Sequence, residues 1–335
     1  MSRPSRRTLL ATAAVFAILP GRARAAEWTA RQFHNQPEES HQHRFLVDLW
    51  AAVREQTGGR LDVSVHARDG DVAGSDPGAL AMLRSGELEF FSLMGGILGN
   101  AVPSAEIQGL PFAFTSPEQA YAAADGPLGA YIGRECEAAG IHRFQRGLLE
   151  NGFRHITMAD RPIRTADDLA GMRMRVPDGQ MFRDLFTALD AVPVTVNIRE
   201  LYDSLRDHRV DGQENPLVVT EVNRLYEVTR YLSMTGHMWS GFNELANLAF
   251  WRRLPGDVQD VVTRNVDIHV ARQRAYTDQL NKELETSLVG RGLVLNVADA
   301  GSFRRKLGGE FYARWKGLVG TQAWTLLEDQ VGKLG

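Results

Sequence analysis

The 335-residue sequence contains one cysteine, Cys136, so it has no internal disulfide, and no second cysteine or histidine lies near it at metal-ligand spacing. After its first segment, 1–25, the chain lacks any run of about 18 apolar residues, the length that a membrane-spanning helix needs. Its formal net charge is only -3, and basic and acidic residues alternate along the chain. The sequence therefore lacks the signs of a disulfide scaffold, a membrane-spanning protein or a nucleic-acid-binding protein.

Enzyme signatures are also absent. The sequence has no Gly-x-Ser-x-Gly elbow, no His-Glu-x-x-His zinc pair and no glycine-rich phosphate loop. The nine histidines are scattered, and His41 and His43 lie two apart on a predicted helix, where they point to different faces. We therefore expect no enzymatic activity, no cofactor and no metal site.

The first 25 residues have the composition of an export signal. A basic head that includes Arg6 and Arg7 precedes the apolar run Leu9–Leu19, and Ala23-Arg24-Ala25 fits the rule for signal cleavage. The mature chain is then expected to begin at Ala26. The arginine pair is typical of a twin-arginine signal, although basic heads of the general secretory route look similar, so the export route stays open.

The mature chain has over 300 residues, which exceeds the usual size of one core and predicts two lobes. A strand is predicted at Trp28–Phe33, a helix capped by Ser40, and a second strand at Leu61–His66, where apolar and polar residues alternate. Asp76 is the predicted cap of the next helix, which leads to an apolar strand within 88–93. Strands that alternate with helices indicate an α/β fold with a parallel sheet.

A second set of strands and helices follows. Strands are predicted at Phe153 and beyond, at Met172–Val176 and at Pro193–Val196, with helices between them. From Pro255 to just before Gly290 the apolar residues follow one long helical stripe. A helix of this length can brace both lobes.

Two arginines are candidates for binding an anion. On a strand, Arg173 and Arg175 share one face, so one or both can point into a cleft and offer a planar fork of donors to a carboxylate. The alternative is a surface arginine in a weak salt bridge. Asn215, which precedes Pro216, is interpreted first as a helix cap, and a helix start at the cleft also favours an anion.

Several segments resemble one family in residues and in order. These are Gly58-Gly59-Arg60, Leu83-Arg-Ser-Gly-Glu-Leu88, Leu110-Pro-Phe-Ala-Phe114, Glu150-Asn-Gly-Phe-Arg154, Arg173-Met-Arg-Val-Pro177, Glu200-Leu-Tyr202, Val210-Asp-Gly-Gln-Glu-Asn-Pro-Leu217 and Phe250-Trp-Arg-Arg-Leu-Pro255. The chain resembles the DctP-type solute-binding proteins of tripartite ATP-independent periplasmic (TRAP) transporters. The resemblance implies a two-lobed α/β periplasmic-binding-protein fold that closes on an organic acid, with a membrane permease as its partner. We further expect a monomeric protein that the export signal directs to the periplasm.

The resemblance also assigns roles to individual residues. Arg175 matches the family arginine that pairs with the ligand carboxylate, and Arg154 matches a second cationic or polar contact. Asn215 matches an asparagine at the cleft end of its strand. Ile198 stands where many members have an aromatic residue.

Three further positions bear on the ligand. Met94 stands where sialic-acid-binding members carry an acidic residue, which argues against that ligand. Trp239 and Phe242 lie where the chain crosses back between the lobes and are expected to wall the pocket, with hinge packing as the alternative. With two arginines and an apolar wall, the expected ligand is an aromatic or branched hydroxy or oxo acid, followed by a short dicarboxylate.

The expected first lobe comprises 26–151 and about 239–280, and the second comprises 152–238 and about 281–335. The rival functions are a binding protein of an ABC transporter or of a chemosensory pathway, and a periplasmic enzyme acting on organic acids. Genes for two membrane permease subunits beside this one favour transport. Turnover of a bound acid favours the enzyme.

Overall fold

The computed structural model describes residues 26–68, 70, 72 and 74–334. The export signal predicted for 1–25 lies outside the described residues. No helix within the described part of the chain is both long enough and apolar enough to span a membrane.

Strands and helices alternate along most of the chain. The strands are β1 (Trp28–His34), β2 (Leu61–His66), β3 (Phe90–Met94), β4 (Ile141–Met158), β5 (Arg173–Val176), β6 (Val192–Thr195), β7 (Gly212–Asn215), β8 (Tyr231–Asn247) and β9 (Val294–Val297). The α-helices are α1 (His41–Gln56), α2 (Asp76–Ser85), α3 (Gly95–Leu98), α4 (Pro117–Asp125), α5 (Pro127–Ala138), α6 (Gln180–Ala188), α7 (Ile198–Arg206), α8 (Leu217–Val222), α9 (Leu248–Arg253), α10 (Gly256–Gly290), α11 (Ala300–Val319) and α12 (Thr321–Val331). Short 3-10 helices span Pro103–Gly109, Ala166–Leu169 and Leu225–Glu227.

The described strands form one mixed sheet in the order β2-β1-β3-β8-β4-β7-β5-β6, and β9 also pairs with β8. The outer pairs are parallel, as the alternation of strands and helices predicts. The central pairs β3-β8, β8-β4 and β4-β7 are antiparallel, so the expectation of a parallel sheet is correct only for the outer strands. Hydrophobic periodicity does not encode strand direction, which the connections decide.

Strands β4 and β8 join the two halves of the sheet. They have 18 and 17 residues, and most of these residues are buried. The β4-β8 pairing shifts register between Glu150 and Gly152 and again between Arg154 and Ile156. The predicted strand at Phe153 is therefore the second half of a strand that begins at Ile141. Strands buried on both faces lose the period-2 alternation that identifies a strand in a sequence.

The structure has two lobes that meet where β4 and β8 cross. The first lobe contains β1–β3, α1–α5, α9 and the adjoining ends of β4 and β8, and the second contains β5–β7, β9, α6–α8 and the opposite ends. Helix α10 packs on α1 in the first lobe and on α8 in the second, and its 35 residues correspond to about 50 Å. Helix α12 packs on α4 and α5.

Two predicted caps differ in the structure. Ser40 caps α1 as predicted, with its hydroxyl accepting from the His43 backbone N–H. The cap of α2 is Ser75, however, and Asp76 is the first helical residue. Pro216 occupies the cap position of α8, so Asn215 ends β7 and is not a helix cap. Serine and aspartate are nearly equal as caps, so the sequence leaves their order undecided.

Helix α10 clamps β4 at the crossing between the lobes. The buried Gln273 side chain accepts from the Glu150 backbone N–H at 2.8 Å and donates to the Glu150 carbonyl at 2.8 Å. Two residues later Gly152 has φ of 126°, and an added Cβ would lie 2.6 Å from the Asn281 side-chain nitrogen. The crossing is thus held by hydrogen bonds to the backbone and by close approach at a glycine.

We expect Gln273→Leu to lower the free energy of unfolding by about 2 kcal/mol, because it leaves a buried backbone N–H and a buried carbonyl of Glu150 unpaired. Urea denaturation measures the change. The control is Gln279→Leu on the exposed face of α10, which should stay within about 0.5 kcal/mol of wild type. An equal decrease in the free energy of unfolding of the two variants would contradict a stabilising role for the Gln273 hydrogen bonds.

Candidate ligand-binding site

Six of the seven residues predicted for the site line one cavity between the lobes. Its lining consists of Asn35, Gln36, Asp76, Met94, Asn151, Arg154, Arg175, Pro177, Ile198, Asn215, Val219 and Phe242. The cavity has a volume of about 20 Å³, close to the space that one water molecule needs. The described arrangement is therefore closed, and any organic ligand requires the lobes to separate or the lining to shift.

Arg175 presents an unpaired cationic group to this cavity. Its Nε donates to the Val196 carbonyl at 2.8 Å, and the residue is only 3% exposed. Within the described part of the chain, neither Nη1 nor Nη2 of Arg175 has a hydrogen-bond or ion-pair partner. Burial lowers the pKa of Arg175 to about 10, although Glu214 and Asp76 act in the opposite direction. Two donors of a buried guanidinium are thus free to bind an anion.

The other arginine of β5 has a different role. Arg173 is the first residue of β5, where its Nη2 is 2.5 Å from Asp211 Oδ1 and its side chain is 45% exposed. It forms the surface salt bridge that was the alternative for both arginines. Of the two arginines on β5, Arg175 alone lines the cavity.

Arg154 reaches the cavity but already has an ionic partner. Its Nη2 donates to Glu214 Oε1 at 2.8 Å and its Nε donates to Oε2 of the same carboxylate. Both side chains are fully buried. Burial alone would raise the pKa of Glu214, but Arg154 and His237 outweigh it and hold the pKa below its ordinary value. The charge of Arg154 is therefore balanced within the protein.

The remaining contacts of Arg154 fix its orientation. Nη2 also donates to Asn215 Oδ1 at 3.0 Å, and Nη1 lies 3.2 Å from Ser240 Oγ and 3.5 Å from the Met94 sulfur. The guanidinium carbon is 5.1 Å from the centroid of the Phe182 ring. Asn215 thus holds Arg154 in place, and Met94 lies against the one nitrogen that Glu214 does not bind.

Asp76 is a site residue that the sequence-based prediction missed, because it was assigned to the helix cap. It comes from α2 in the first lobe and lines the cavity together with Arg175. Its Oδ2 accepts from Asn35 Nδ2 at 2.8 Å, whereas Oδ1 accepts no hydrogen bond from any described residue. Burial raises the pKa of Asp76 to about 6, against the lowering effects of Asn35 and Arg175. Helix α2 begins one residue earlier than predicted, so Ser75 caps it and the Asp76 carboxylate is free to face the cavity.

Amide side chains supply further acceptors. Gln36 donates through Nε2 to Asn35 Oδ1 at 2.8 Å, and Asn151 donates through Nδ2 to Ser240 Oγ at 3.1 Å. The side-chain oxygens of Gln36 and Asn151 accept no hydrogen bond within the described residues. With Asp76 Oδ1, the cavity thus offers three acceptors beside the Arg175 fork.

Trp239 does not line this cavity. Its indole N–H donates to the buried Glu150 carboxyl group at 3.0 Å, and its ring packs edge-on against Phe114 and Tyr121. This position corresponds to the hinge-packing alternative. Phe242 and Ile198 do line the cavity and form its apolar side.

No group of His, Cys, Asp or Glu side chains suited to a metal ion occurs among the described residues. His41 and His43 face different neighbours, as the helical spacing predicts. The His41 ring packs against Tyr276, and His43 Nδ1 lies 2.9 Å from His34 Nε2.

Comparison with known proteins gives a consistent family. Residues 33–308 match the family model described as DctP, bacterial extracellular solute-binding protein, family 7. A solute-binding protein of Verminephrobacter eiseniae is 30% identical over 277 residues, which cover 82% of this chain and 80% of that protein. The uncharacterized protein y4mM of Sinorhizobium fredii is 35% identical over 209 residues, which are 62% of this chain but only 38% of that protein.

Solved structures have the same fold. A TRAP periplasmic solute-binding protein from Polaromonas, bound to D-erythronate, is 25% identical with a TM-score of 0.85, and the match covers 92% of this chain and 99% of that one. The sugar-acid-binding protein of Advenella mimigardefordensis, in complex with galactonate, has a TM-score of 0.86 at 24% identity and the same coverage. The predicted two-lobed α/β fold is confirmed.

We expect Glu214→Leu to destabilise the protein by about 3 to 5 kcal/mol, because it leaves the buried charge of Arg154 without a partner. The double variant Arg154→Met with Glu214→Leu removes both charges and should recover a large part of the loss. Urea denaturation of both single variants and of the double variant measures the coupling. Additive losses would contradict a buried pair.

Proposed function

We propose that this chain, which belongs to bacterial extracellular solute-binding protein family 7, captures a small hydroxylated monocarboxylate between its lobes. The chain is a solute-binding protein of the TRAP type. The observation that carries the ligand class is that the unpaired Arg175 nitrogens and the free oxygen of Asp76 belong to the lining of one cavity. A carboxylate fits the first group, and a hydroxyl group fits the second.

Arg175 supports the carboxylate. A planar guanidinium matches a carboxylate through two parallel hydrogen bonds, and charge-assisted bonds of this kind are about twice as strong as neutral ones. Binding also supplies the counter-charge that the buried arginine lacks among its hydrogen-bond partners. Ile198 and Phe242 then contact the carbon chain of the ligand.

The acceptors support hydroxyl groups on that ligand. Asp76, Gln36 and Asn151 each have an oxygen without a donor, and a ligand hydroxyl can donate to any of them. An apolar ligand body would leave these oxygens unpaired, at roughly 1 to 3 kcal/mol for each buried group. We therefore replace the expected aromatic or branched acid with a polyhydroxy acid. Asp76 also provides an acid that Met94 does not, so Met94 alone does not exclude a sugar acid.

The charges favour one carboxylate over two. Two arginines reach the cavity, but Arg154 is already paired with Glu214. The two carboxylates of a dicarboxylate would have to share Arg175, and the second one would also approach the Asp76 carboxylate. A short dicarboxylate is therefore a weaker candidate than a hydroxy acid such as D-erythronate or galactonate, the ligands of two structural neighbours.

The proposed cycle consists of capture by lobe closure and delivery to a TRAP membrane permease. The mature chain acts in the periplasm after cleavage of the signal in 1–25, which takes it there by the twin-arginine or the general secretory route. Lobe boundaries follow the crossings near Asn151 and Trp239, with α12 assigned to the first lobe.

We expect Arg175→Ala to weaken the binding of D-galactonate or D-erythronate by about 30-fold or more, because truncating one partner of a buried charge pair costs about 2 to 5 kcal/mol. Isothermal titration calorimetry measures the affinity. The matched control is Arg173→Ala on the same strand, whose arginine faces the surface. The control should bind within about threefold of wild type. Binding of the Arg175 variant at the wild-type level would refute the role of this arginine.

We expect Asp76→Ala to weaken the binding of hydroxylated acids more than the binding of acids without hydroxyl groups. A hydrogen bond to a charged acceptor contributes about 1.5 to 3 kcal/mol, so D-galactonate should lose roughly tenfold or more in affinity. Succinate, which has no hydroxyl group, should bind the variant at least as well as it binds wild type, because a nearby negative charge has been removed. Parallel losses for the two acids, measured by calorimetry, would indicate that Asp76 does not select hydroxyl groups.

A further inference from the structure

The two lobes touch at a second place, beside the ligand cavity. There α3 and the 3-10 helix Pro103–Gly109 of the first lobe meet the start of α6 in the second. The contact is close because glycines form it. A Cβ added to Gly179 would lie 2.5 Å from the Gly96 carbonyl oxygen, and one added to Gly96 would lie 2.6 Å from the Phe182 ring. Backbone therefore approaches backbone across the cleft.

One side chain crosses this contact. Glu106 Oε2 accepts from the Met181 backbone N–H at 2.7 Å, and Glu106 is 5% exposed. Met181 is the second residue of α6, so its N–H is one of those that a helix leaves without an internal partner. The cap residue of α6 is Gly179, which has no side chain to bind that N–H. The cap comes instead from the opposite lobe.

Neighbouring residues of the first lobe leave room for the Glu106 side chain to reach the second lobe. A Cβ on Gly99 would lie 2.1 Å from the Glu106 Cγ, so glycine is required for the side chain to pass there. Nearby, Asn100 Nδ2 donates to the Asp178 carbonyl across the cleft at 3.4 Å. The contact also reaches the ligand cavity, because Phe182 of α6 packs on the Arg154 guanidinium.

We propose that Glu106 is a positioning residue for ligand capture, whose carboxyl group caps α6 across the cleft and holds the lobes closed around the ligand. The inference rests on the proposed function for its ligand, but lobe closure itself can be measured without one. Separation of the lobes breaks the Glu106–Met181 hydrogen bond and exposes both groups to water. The contact therefore stabilises the closed state and does not stabilise the open one.

This geometry makes closure depend on pH. Burial raises the pKa of Glu106 in the closed state to about 7, in the same direction as Asp184 and against Met181 and Arg183. On the described elements packed against Glu106, Arg183 is paired with Asp178, and Asp184 with Arg314 of α11. In the open state the carboxyl group is exposed to water, and its pKa should return toward the ordinary value of 4.5. The state with the higher pKa binds the proton more tightly, so the Glu106 contribution is full below about pH 4.5 and is lost as the pH rises to about 7.

Two substitutions separate the hydrogen bond from the titration. Glu106→Ala removes the cap, and we expect the ligand to dissociate about tenfold faster at pH 4.5, where the contribution of Glu106 is full. Glu106→Gln keeps an acceptor for the Met181 N–H but does not titrate, so it should bind within about threefold of wild type at pH 4.5 and more tightly than wild type at pH 6. Between pH 6 and 7.5 the wild-type affinity should fall about tenfold further than that of the glutamine variant, since each unit of pKa shift corresponds to a factor of ten.

The experiment uses the full mature chain with D-galactonate as the probe. Stopped-flow dissociation and calorimetry are measured at pH 4.5, 6 and 7.5, and urea denaturation tests whether a variant is merely less stable. Closure is followed by pulsed electron paramagnetic resonance between nitroxides at Glu55→Cys and Arg209→Cys, which are exposed on the first and second lobes. The native Cys136 is buried and should remain unlabelled.

A second pair of variants tests the contact without touching a carboxyl group. Gly179→Ala places a methyl group against the Gly96 carbonyl and should reduce the closed fraction, whereas Gly133→Ala meets nothing within 4 Å and should not. The proposal would be overturned if the ligand left Glu106→Ala at the wild-type rate at pH 4.5, or if wild type and Glu106→Gln had parallel pH profiles. If Glu106→Ala does not fold, the pH profile of Glu106→Gln tests the proposal instead. If no acid binds the wild type, the ligand class fails, and the closed fraction of the labelled ligand-free protein against pH still tests Glu106.

Discussion

The buried ion pair between Arg154 and Glu214 is the constraint on which the ligand site depends. Removing two charges from water costs several kcal/mol for each ion, and only good geometry with further hydrogen bonds offsets that cost. Here Glu214 binds two nitrogens of the guanidinium and also accepts from His237 Nε2 at 3.3 Å. The pair joins β4 to β7 next to the cavity and fixes which nitrogen of Arg154 faces it. Because this charge is balanced internally, Arg175 is the one of the two arginines in the described cavity lining that is left for the ligand.

The state of Arg175 also explains why closure should require a ligand. Closing the lobes buries the Arg175 guanidinium, and burial lowers its pKa because the charged form loses water. Asp76 approaches from the opposite lobe, but no salt bridge joins the two among the described residues. A ligand carboxylate supplies the missing contact in the closed state only. A ligand shifts a conformational equilibrium by the difference in its affinity for the two states, and this arginine provides that difference.

The sequence identifies the parts of the site whose signals are local. Residues Arg175, Asn215 and Met94 lie in short segments that resemble the family, and the structure places all three around one cavity. The partner of Arg154 could not be assigned, because it depends on pairing β4 with β7 across 60 residues of chain. Asp76 was missed because Ser75 and Asp76 are nearly equivalent caps, and a shift of one residue turns a capping group into a cavity acceptor. Trp239 lies in the predicted crossing, but which face of β8 it occupies depends on a register that bulges alter.

The proposed Glu106 contact must be weaker than the ligand contact for the protein to work. A binding protein that closed fully without ligand would admit none, so the interactions confined to the closed state have to leave the open state favoured until Arg175 is paired. A single hydrogen bond to a backbone N–H is suitably modest, at about 0.5 to 1.5 kcal/mol net, or about 1.5 to 3 kcal/mol when the acceptor is charged. An anionic carboxyl group at Glu106 gains this stronger bond but also loses its water on closure. These opposing effects keep the contact within the range in which it slows ligand release without closing an empty cleft.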